Sequence, residues 1–203
     1  MDDPSNGSAG SLPSAGAARR GIIPVAPFIG PPQGGHPKRN PIVLDIIDAD
    51  FNNPAHGDMV VALLDEYARS PMGGSQPLSD YVRAHLIAEL ARRPTAGALL
   101  ALHDGTPAGL AIYFEGFSSF ACKPLLNLHD FMVSERYRRQ GIAQRLLQAL
   151  DAAAVRRGCC KITLEVLQGN EPAKALYRKI GYQGYELAGD AGQAMFWQKK
   201  LAA

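Results

Sequence analysis

With 203 residues, 21 Lys and Arg against 19 Asp and Glu, and a formal net charge of +2, the chain gives no bulk electrostatic reason to bind nucleic acid or a membrane surface. No apolar run approaches the ~20 residues that cross a bilayer, and Met1-Asp2-Asp3 does not open a basic-then-apolar leader. Three cysteines, two of them adjacent as Cys159-Cys160, do not make a disulfide framework, so a reducing cytoplasm is the expected location.

Residues 1–40 are dominated by Gly, Ser, Pro and Ala, as in Pro31-Pro32-Gln33-Gly34-Gly35. Such a segment buries too little apolar surface to offset its ordering entropy, and a flexible extension is expected there. One domain is expected over residues 41–203. Ile42 to Ile47 reads as a first strand. Met59, Leu63 and Tyr67 mark a helix that ends near Pro71, and Ser79 caps a second helix running to Arg92. Between them lies Pro71-Met72-Gly73-Gly74-Ser75-Gln76-Pro77, rich in helix breakers. Ala98 to Leu102 and Leu110 to Phe114 flank a hairpin turn at His103-Asp104-Gly105-Thr106-Pro107.

Leu126 to Val133 is a mostly apolar strand, and Ile142, Leu146, Leu147, Leu150 and Ala154 then recur at helical spacing. The connection, Arg138-Arg139-Gln140-Gly141-Ile142-Ala143, joins strand to helix with small residues at Gly141 and Ala143. A helix start leaves about four amides without intrahelical partners and carries the positive end of the helix dipole. With Arg136, Arg138 and Arg139 adding fixed charge, the segment suits a diphosphate. It is neither a Walker loop, which needs Lys-Ser/Thr after its last glycine, nor the three-glycine dinucleotide fingerprint. A solvated helix start would explain the run taken alone.

Lys161 to Leu167 is rich in β-branched and apolar residues and reads as a further strand. Asn170 then caps a short helix with Pro172 in its first turn; Ala173, Leu176, Tyr177 and Ile180 share one face, and Gly181 ends it. Tyr185-Glu186 and Ala194-Met195-Phe196-Trp197 supply two closing strands.

These motifs, in this order, resemble the GNAT superfamily of acyl-CoA-dependent N-acyltransferases. The family's acyl-CoA loop, Arg/Gln-x-x-Gly-x-Gly/Ala, is matched by Arg138, Gly141 and Ala143. Its following motif, Asn-x-x-Ala-x-x-Leu-Tyr-x-x-x-Gly-Phe/Tyr, is matched by Asn170, Ala173, Leu176, Tyr177, Gly181 and Tyr182. The resemblance covers roughly Ile42 to Leu201. It implies an α/β (α+β) fold, with a mixed, mostly antiparallel sheet of six to seven strands splayed at the acyl-CoA site and about four flanking helices. It also implies acetyl-CoA as acyl donor, no metal, and a possible homodimer. Phe131, Met132 and Val133 would bond the pantetheine arm through their main chain. The segment Arg138, Arg139, Gln140, Gly141, Ile142 and Ala143 would hold the diphosphate, and Asn170 would contact the pantetheine or acyl region.

The chemistry requires a neutral amine, a polarised carbonyl and a departing thiolate. An alkylamine of pKa near 10.4 is only about 0.04 % neutral at pH 7, so a base helps. The resemblance places the general acid at Tyr177, which would otherwise be a core aromatic. His129 and Asp130 interrupt strand alternation, where a β-bulge would turn polar side chains into a cleft. They are the candidate bases, with a satisfied pair at a sheet end as the other reading; Glu165 and Glu115 stand in reserve.

Tyr113 to Phe120 followed by Leu128 to Val133 is similar to the diamine and polyamine N-acetyltransferases, except that His129 stands where an acidic residue is usual. Glu115, Phe117, Phe120 and Asp130 would suit a small primary amine, polyamine- or amino-acid-like; residue by residue, hairpin packing is the simpler reading. An antibiotic amine, a protein α-amine or a non-catalytic acyl-CoA-binding module are the alternatives. Binding of nucleic acid by the basic run Arg136 to Arg145 is not expected.

Overall fold

The computed structural model describes residues 43–186, 192 and 194–201. The extension expected over residues 1–40 lies outside them. In chain order the elements are β1 (Leu44–Asp48), α1 (Pro54–Arg69), α2 (Asp80–Ala91), β2 (Ala96–His103), β3 (Thr106–Ser118) and β4 (Lys123–Val133). A short 3-10 turn (Glu135–Tyr137), α3 (Ile142–Arg156), β5 (Ile162–Leu164) and α4 (Glu171–Lys179) follow.

Local chemistry sets the helix starts. The Asn53 side chain accepts the Ala55 N–H ahead of Pro54, Ser79 accepts from Val82, and Asn170 accepts from Ala173. Asp104 and Gly105, both at positive φ, turn β2 into β3, the combination a tight hairpin requires.

The five strands lie side by side in chain order, antiparallel except for β4 and β5, which run parallel across the α3 crossover. Helices cover both faces. Ile142, Leu146, Leu147 and Leu150 of α3 pack on Leu99, Ala111, Tyr113, Leu126 and Leu128. On the other face, Val60, Leu63 and Leu64 of α1 and Leu90 of α2 meet Leu100, Leu110, Ile112 and Met132. Adjacent residues such as Leu99 and Leu100 are therefore both buried, as a doubly covered sheet demands. Each such side chain contributes about 1.5–3 kcal/mol by leaving water. Helix α3 approaches closely: a Cβ added at Gly109 would stand 2.9 Å from Leu146 Cδ1.

The expected fold class holds, with two differences. Among the described residues the sheet has five strands rather than six or seven, because Met195, Phe196 and Trp197 remain exposed outside any strand. The Ala194 N–H does donate to the Tyr185 carbonyl at 3.0 Å, so the two closing segments touch. Strand β5 is three residues long, not seven. Its pairing with β4 ends at Leu128 opposite Leu164, and the chain beyond turns its side chains into a cleft instead.

Candidate active site

The end of that pairing and an irregularity in β4 create the site together. Ile112 faces Asp130 and Tyr113 faces Leu128, so one step along β3 matches two along β4 and His129 is the extra residue. This is the bulge that the broken alternation predicts. Its effect is a parity change. Leu126 and Leu128 point into the α3 core, whereas after the bulge Phe131 and Val133 do so and Met132 points to α1. His129 crosses the Phe114 ring edge-on, centroids 5.4 Å apart, on the α1 side.

Beyond Leu128 the two parallel strands separate around a cleft of about 110 Å³, lined by Tyr67, His129, Phe131, Glu165, Asn170 and Tyr177 among others. Tyr177 is carried there by α4, whose start Asn170 caps with a 3.3 Å bond from Ala173 N–H. Its ring lies 6.2 Å from Phe131 and 5.6 Å from Tyr182. Burial, with Tyr67 beside it, pushes the phenol up to about 12. Tyr177 is thus both a core aromatic and a cleft residue, and it keeps its proton at neutral pH.

Asp130 follows His129 in the bulge. Burial raises its carboxyl above the ordinary carboxylate value, and His129 partly offsets this. The carboxylate in turn adds to the burial that raises the Tyr67 phenol. Glu165 faces the cleft from the segment just past β5, where Asn127 Nδ2 reaches both its oxygens at 3.4 Å.

The loop before α3 has the form an anion needs. Arg139 and Gly141 both adopt left-handed backbone, φ +63° and +80°, which curls successive amides inward. The first bond of α3 runs from Arg145 N–H to the Gly141 carbonyl at 3.1 Å, so the amides of Ile142, Ala143 and Gln144 precede the ladder. A Cβ at Gly141 would meet nothing within 4 Å, so the approach is open. Arg138 braces the loop, its Nε donating to the Val133 carbonyl at 3.3 Å, while Gln140 Nε2 reaches the Arg136 carbonyl at 3.5 Å. These residues fit a diphosphate.

Three expected acceptor residues lie elsewhere. Glu115 accepts from Arg157 Nη1 at 3.1 Å, and the same guanidinium bonds the Tyr113 hydroxyl at 3.3 Å and stacks 5.3 Å from that ring. It shares the α3 side of β3 with Tyr113, which removes it from the cleft. Phe117 and Phe120 stand out at the far end of the β3–β4 hairpin, both exposed. Tyr67 was legible only as part of an apolar helix face; its place in the last turn of α1, ahead of the breaker-rich loop, was the signal for more.

Two parallel strands that part after Leu128, a cleft holding the protonated phenol of Tyr177, and an open loop of free amides ahead of α3 make up the candidate site. The sequence profile of the acetyltransferase (GNAT) family matches residues 60–182, and the chain belongs to that family. It is 32% identical over 100 residues to the L-ornithine N5-acetyltransferase NATA1 of Arabidopsis thaliana, spanning 46% of this chain and 44% of that protein. A thialysine N-epsilon-acetyltransferase of Mus musculus is 27% identical over 137 residues, 66% of this chain and 72% of that one. A bovine thialysine N-epsilon-acetyltransferase is 31% identical over 37% of this chain, and like NATA1 it is matched over 44% of its own length, less than half. In fold, the chain superposes on a probable acetyltransferase with a TM-score of 0.62 (24% identity, 76% of this chain, 99% of that one). An aminoglycoside acetyltransferase solved with sisomicin gives 0.61 (17% identity, 77% and 97%).

Proposed function

We propose that this chain is an N-acetyltransferase that moves an acetyl group from acetyl-CoA to a primary amine of a small, polyamine- or amino-acid-like molecule. The observation that carries this reading is the β4–β5 separation beside the His129 bulge with the buried phenol of Tyr177 in the cleft, followed by the open Gly141 loop in the connection that leaves β4. Acetyl-CoA supplies the thioester carbonyl and the leaving sulfur.

Main-chain groups of Phe131 to Val133, unpaired by β5, receive the pantetheine arm, and the amides from Arg138 to Ala143 with the two arginines hold the diphosphate. Asn170, its oxygen engaged in the cap, offers its amide N–H₂ to the same arm. Tyr177, protonated up to about 12, acts as a hydrogen-bond and proton donor toward the sulfur position. Asp130 is a stronger base than an ordinary carboxylate because burial disfavours its charge, and it attracts the ammonium before any proton moves. His129, exposed on the cleft side, takes the amine proton directly or through water. Glu165 presents a second carboxylate to a cationic acceptor. The small-amine preference is supported by the Arabidopsis and thialysine relatives, whose named acceptors are amino-acid-like.

Exposed thiols at Cys122 and Cys160 agree with a reducing cytoplasm, and the exposed run Met195 to Trp197 offers apolar surface for a homodimer. No helix among the described residues is long and apolar enough to cross a membrane.

An amine library with acetyl-CoA, read by CoA release, tests the proposal. Turnover with a diamine or a basic amino acid is expected. Turnover confined to aminoglycosides or peptide N-termini would replace the acceptor class; tight CoA binding with no transfer to any amine would leave a binding module.

A further inference from the structure

Asp65, Glu66 and Tyr67 are consecutive in the last turns of α1, and at about 100° per residue they leave the helix in three directions. Asp65 Oδ1 accepts the Leu78 N–H at 2.8 Å and the Arg83 guanidinium at 2.9 Å, while Arg83 Nε returns a 3.0 Å bond to the Leu78 carbonyl. Tyr67 enters the cleft and donates its hydroxyl to the Met72 carbonyl at 3.2 Å. Both residues thereby fasten the segment between α1 and α2.

Glu66 points the other way. Its Oε1 accepts the N–H of Glu135, 69 positions along the chain, at 3.0 Å. Glu135 opens the 3-10 turn that leads into the Gly141 loop, and Ser134, the residue placed to cap that turn, makes no side-chain cap bond. The missing cap is supplied from α1. Through Tyr137 N–H to the Ser134 carbonyl and Arg138 Nε to the Val133 carbonyl, the same turn sets where the anion loop stands.

We propose that Glu66 is a positioning residue that joins the diphosphate loop to α1, so that a coenzyme A gripped at Gly141 also steadies the acceptor side of the cleft through Tyr67 and the 70–78 segment. This rests on the acetyl-CoA reading above. Coupling between two sites is reciprocal, so the cofactor site should prepare the acceptor site and the reverse. Helix α1 carries both fastenings, and packed rigid elements of this kind are among those that carry coupling between sites.

The experiment uses CoA alone as probe. Calorimetry follows its affinity, and hydrogen exchange follows protection of residues 70–78 with and without CoA, in wild type, Glu66→Ala, Glu66→Gln and Glu66→Asp. Wild type should bind CoA and protect the segment. Glu66→Ala should bind about tenfold more weakly and lose that protection. Glu66→Gln keeps an oxygen that accepts the Glu135 N–H, and both properties should stay within about twofold of wild type. Glu66→Asp, too short to reach, should follow alanine and serves if the alanine variant does not fold. Wild-type binding and protection in Glu66→Ala or Glu66→Asp would overturn the proposal, as would equal weakening in Glu66→Gln. Tighter binding in both neutral variants would also overturn it, since that outcome marks simple charge repulsion from the phosphates. No heat with well-folded wild type would instead remove the acetyl-CoA reading itself.

Discussion

Phe131 and Tyr177 meet across the fork of the sheet, centroids 6.2 Å apart and planes inclined at 47°. One ring belongs to the strand that would receive the pantetheine arm, the other to α4, the short helix after β5. Replacing Tyr177 by Phe keeps this packing and removes only the hydroxyl. Turnover should fall by about 100-fold or more, the usual worth of a positioned proton donor, while the Kd for CoA stays within about twofold. Steady-state rates and calorimetry check both; undiminished turnover would take the phenol out of the chemistry.

The same phenol affects alkaline stability. Its value is raised by burial to about 12 from 10. A group whose folded value lies above its unfolded value contributes stability that is complete below pH 10 and is lost as pH rises through about 12. A shift of that size is worth on the order of 2–3 kcal/mol. Thermal midpoints recorded from pH 9 to 12 should therefore fall more steeply for wild type than for Tyr177→Phe.

Asp130 has the opposite consequence near neutrality. Its carboxyl is raised by burial, so its favourable contribution is present below the unfolded value of 3.8 and is lost as pH rises through the folded one. Ionising the buried side chain therefore costs stability. Asp130→Asn should melt higher than wild type at pH 7, with the difference shrinking toward pH 3, and should acetylate amines more slowly. A lower melting point at pH 7 would show that the carboxylate is held by a favourable partner.

Gly141 stands at φ +80° with open space where a Cβ would be. Gly141→Ala meets no clash, so its cost is the backbone strain of a left-handed alanine, about 1 kcal/mol. Gly141→Glu adds bulk and negative charge at the anion approach and should abolish CoA binding in a protein that still folds. Retained affinity in the glutamate variant would remove the loop from the site.

Glu115 provides a control. Both it and Arg157 are about one-third exposed, and pairs of this kind are worth roughly 0–1 kcal/mol. Glu115→Gln should lower the melting point slightly and leave the acceptor KM unchanged. A KM raised for cationic amines alone would place the carboxylate back among the acceptor contacts.

Much of the architecture was readable from local pattern because each signal had a single physical meaning. Ser79 and Asn170 cap helices where side-chain chemistry says they should, and the misfit of His129 and Asp130 with strand period announced the bulge. The placement of Glu115 was not legible because a strand carboxylate has two faces to choose from. Only the register with β4 and the reach of Arg157 from α3 decide between them. The closing strands were drawn from apolar content at Ala194 to Trp197, and composition does not state what such residues pack against. Tyr67 and Glu66 were invisible for a related reason: their partners at Met72 and Glu135 depend on how α1 lies on the sheet.

The separation of β5 from β4 after Leu128 leaves a stretch of β4 bonded to β3 on one flank only. Open strand flanks are templates for pairing with another chain, and evolution commonly blunts them with charge or proline. Here the stretch beyond the His129-Asp130 bulge is Phe131-Met132-Val133, apolar in its own side chains and reached by one charged group, the Arg138 guanidinium at the Val133 carbonyl. Keeping the nucleotide thioester bound would thus do more than supply acetyl groups: it would cover a sticky border, and protein stripped of it would be the form prone to self-association.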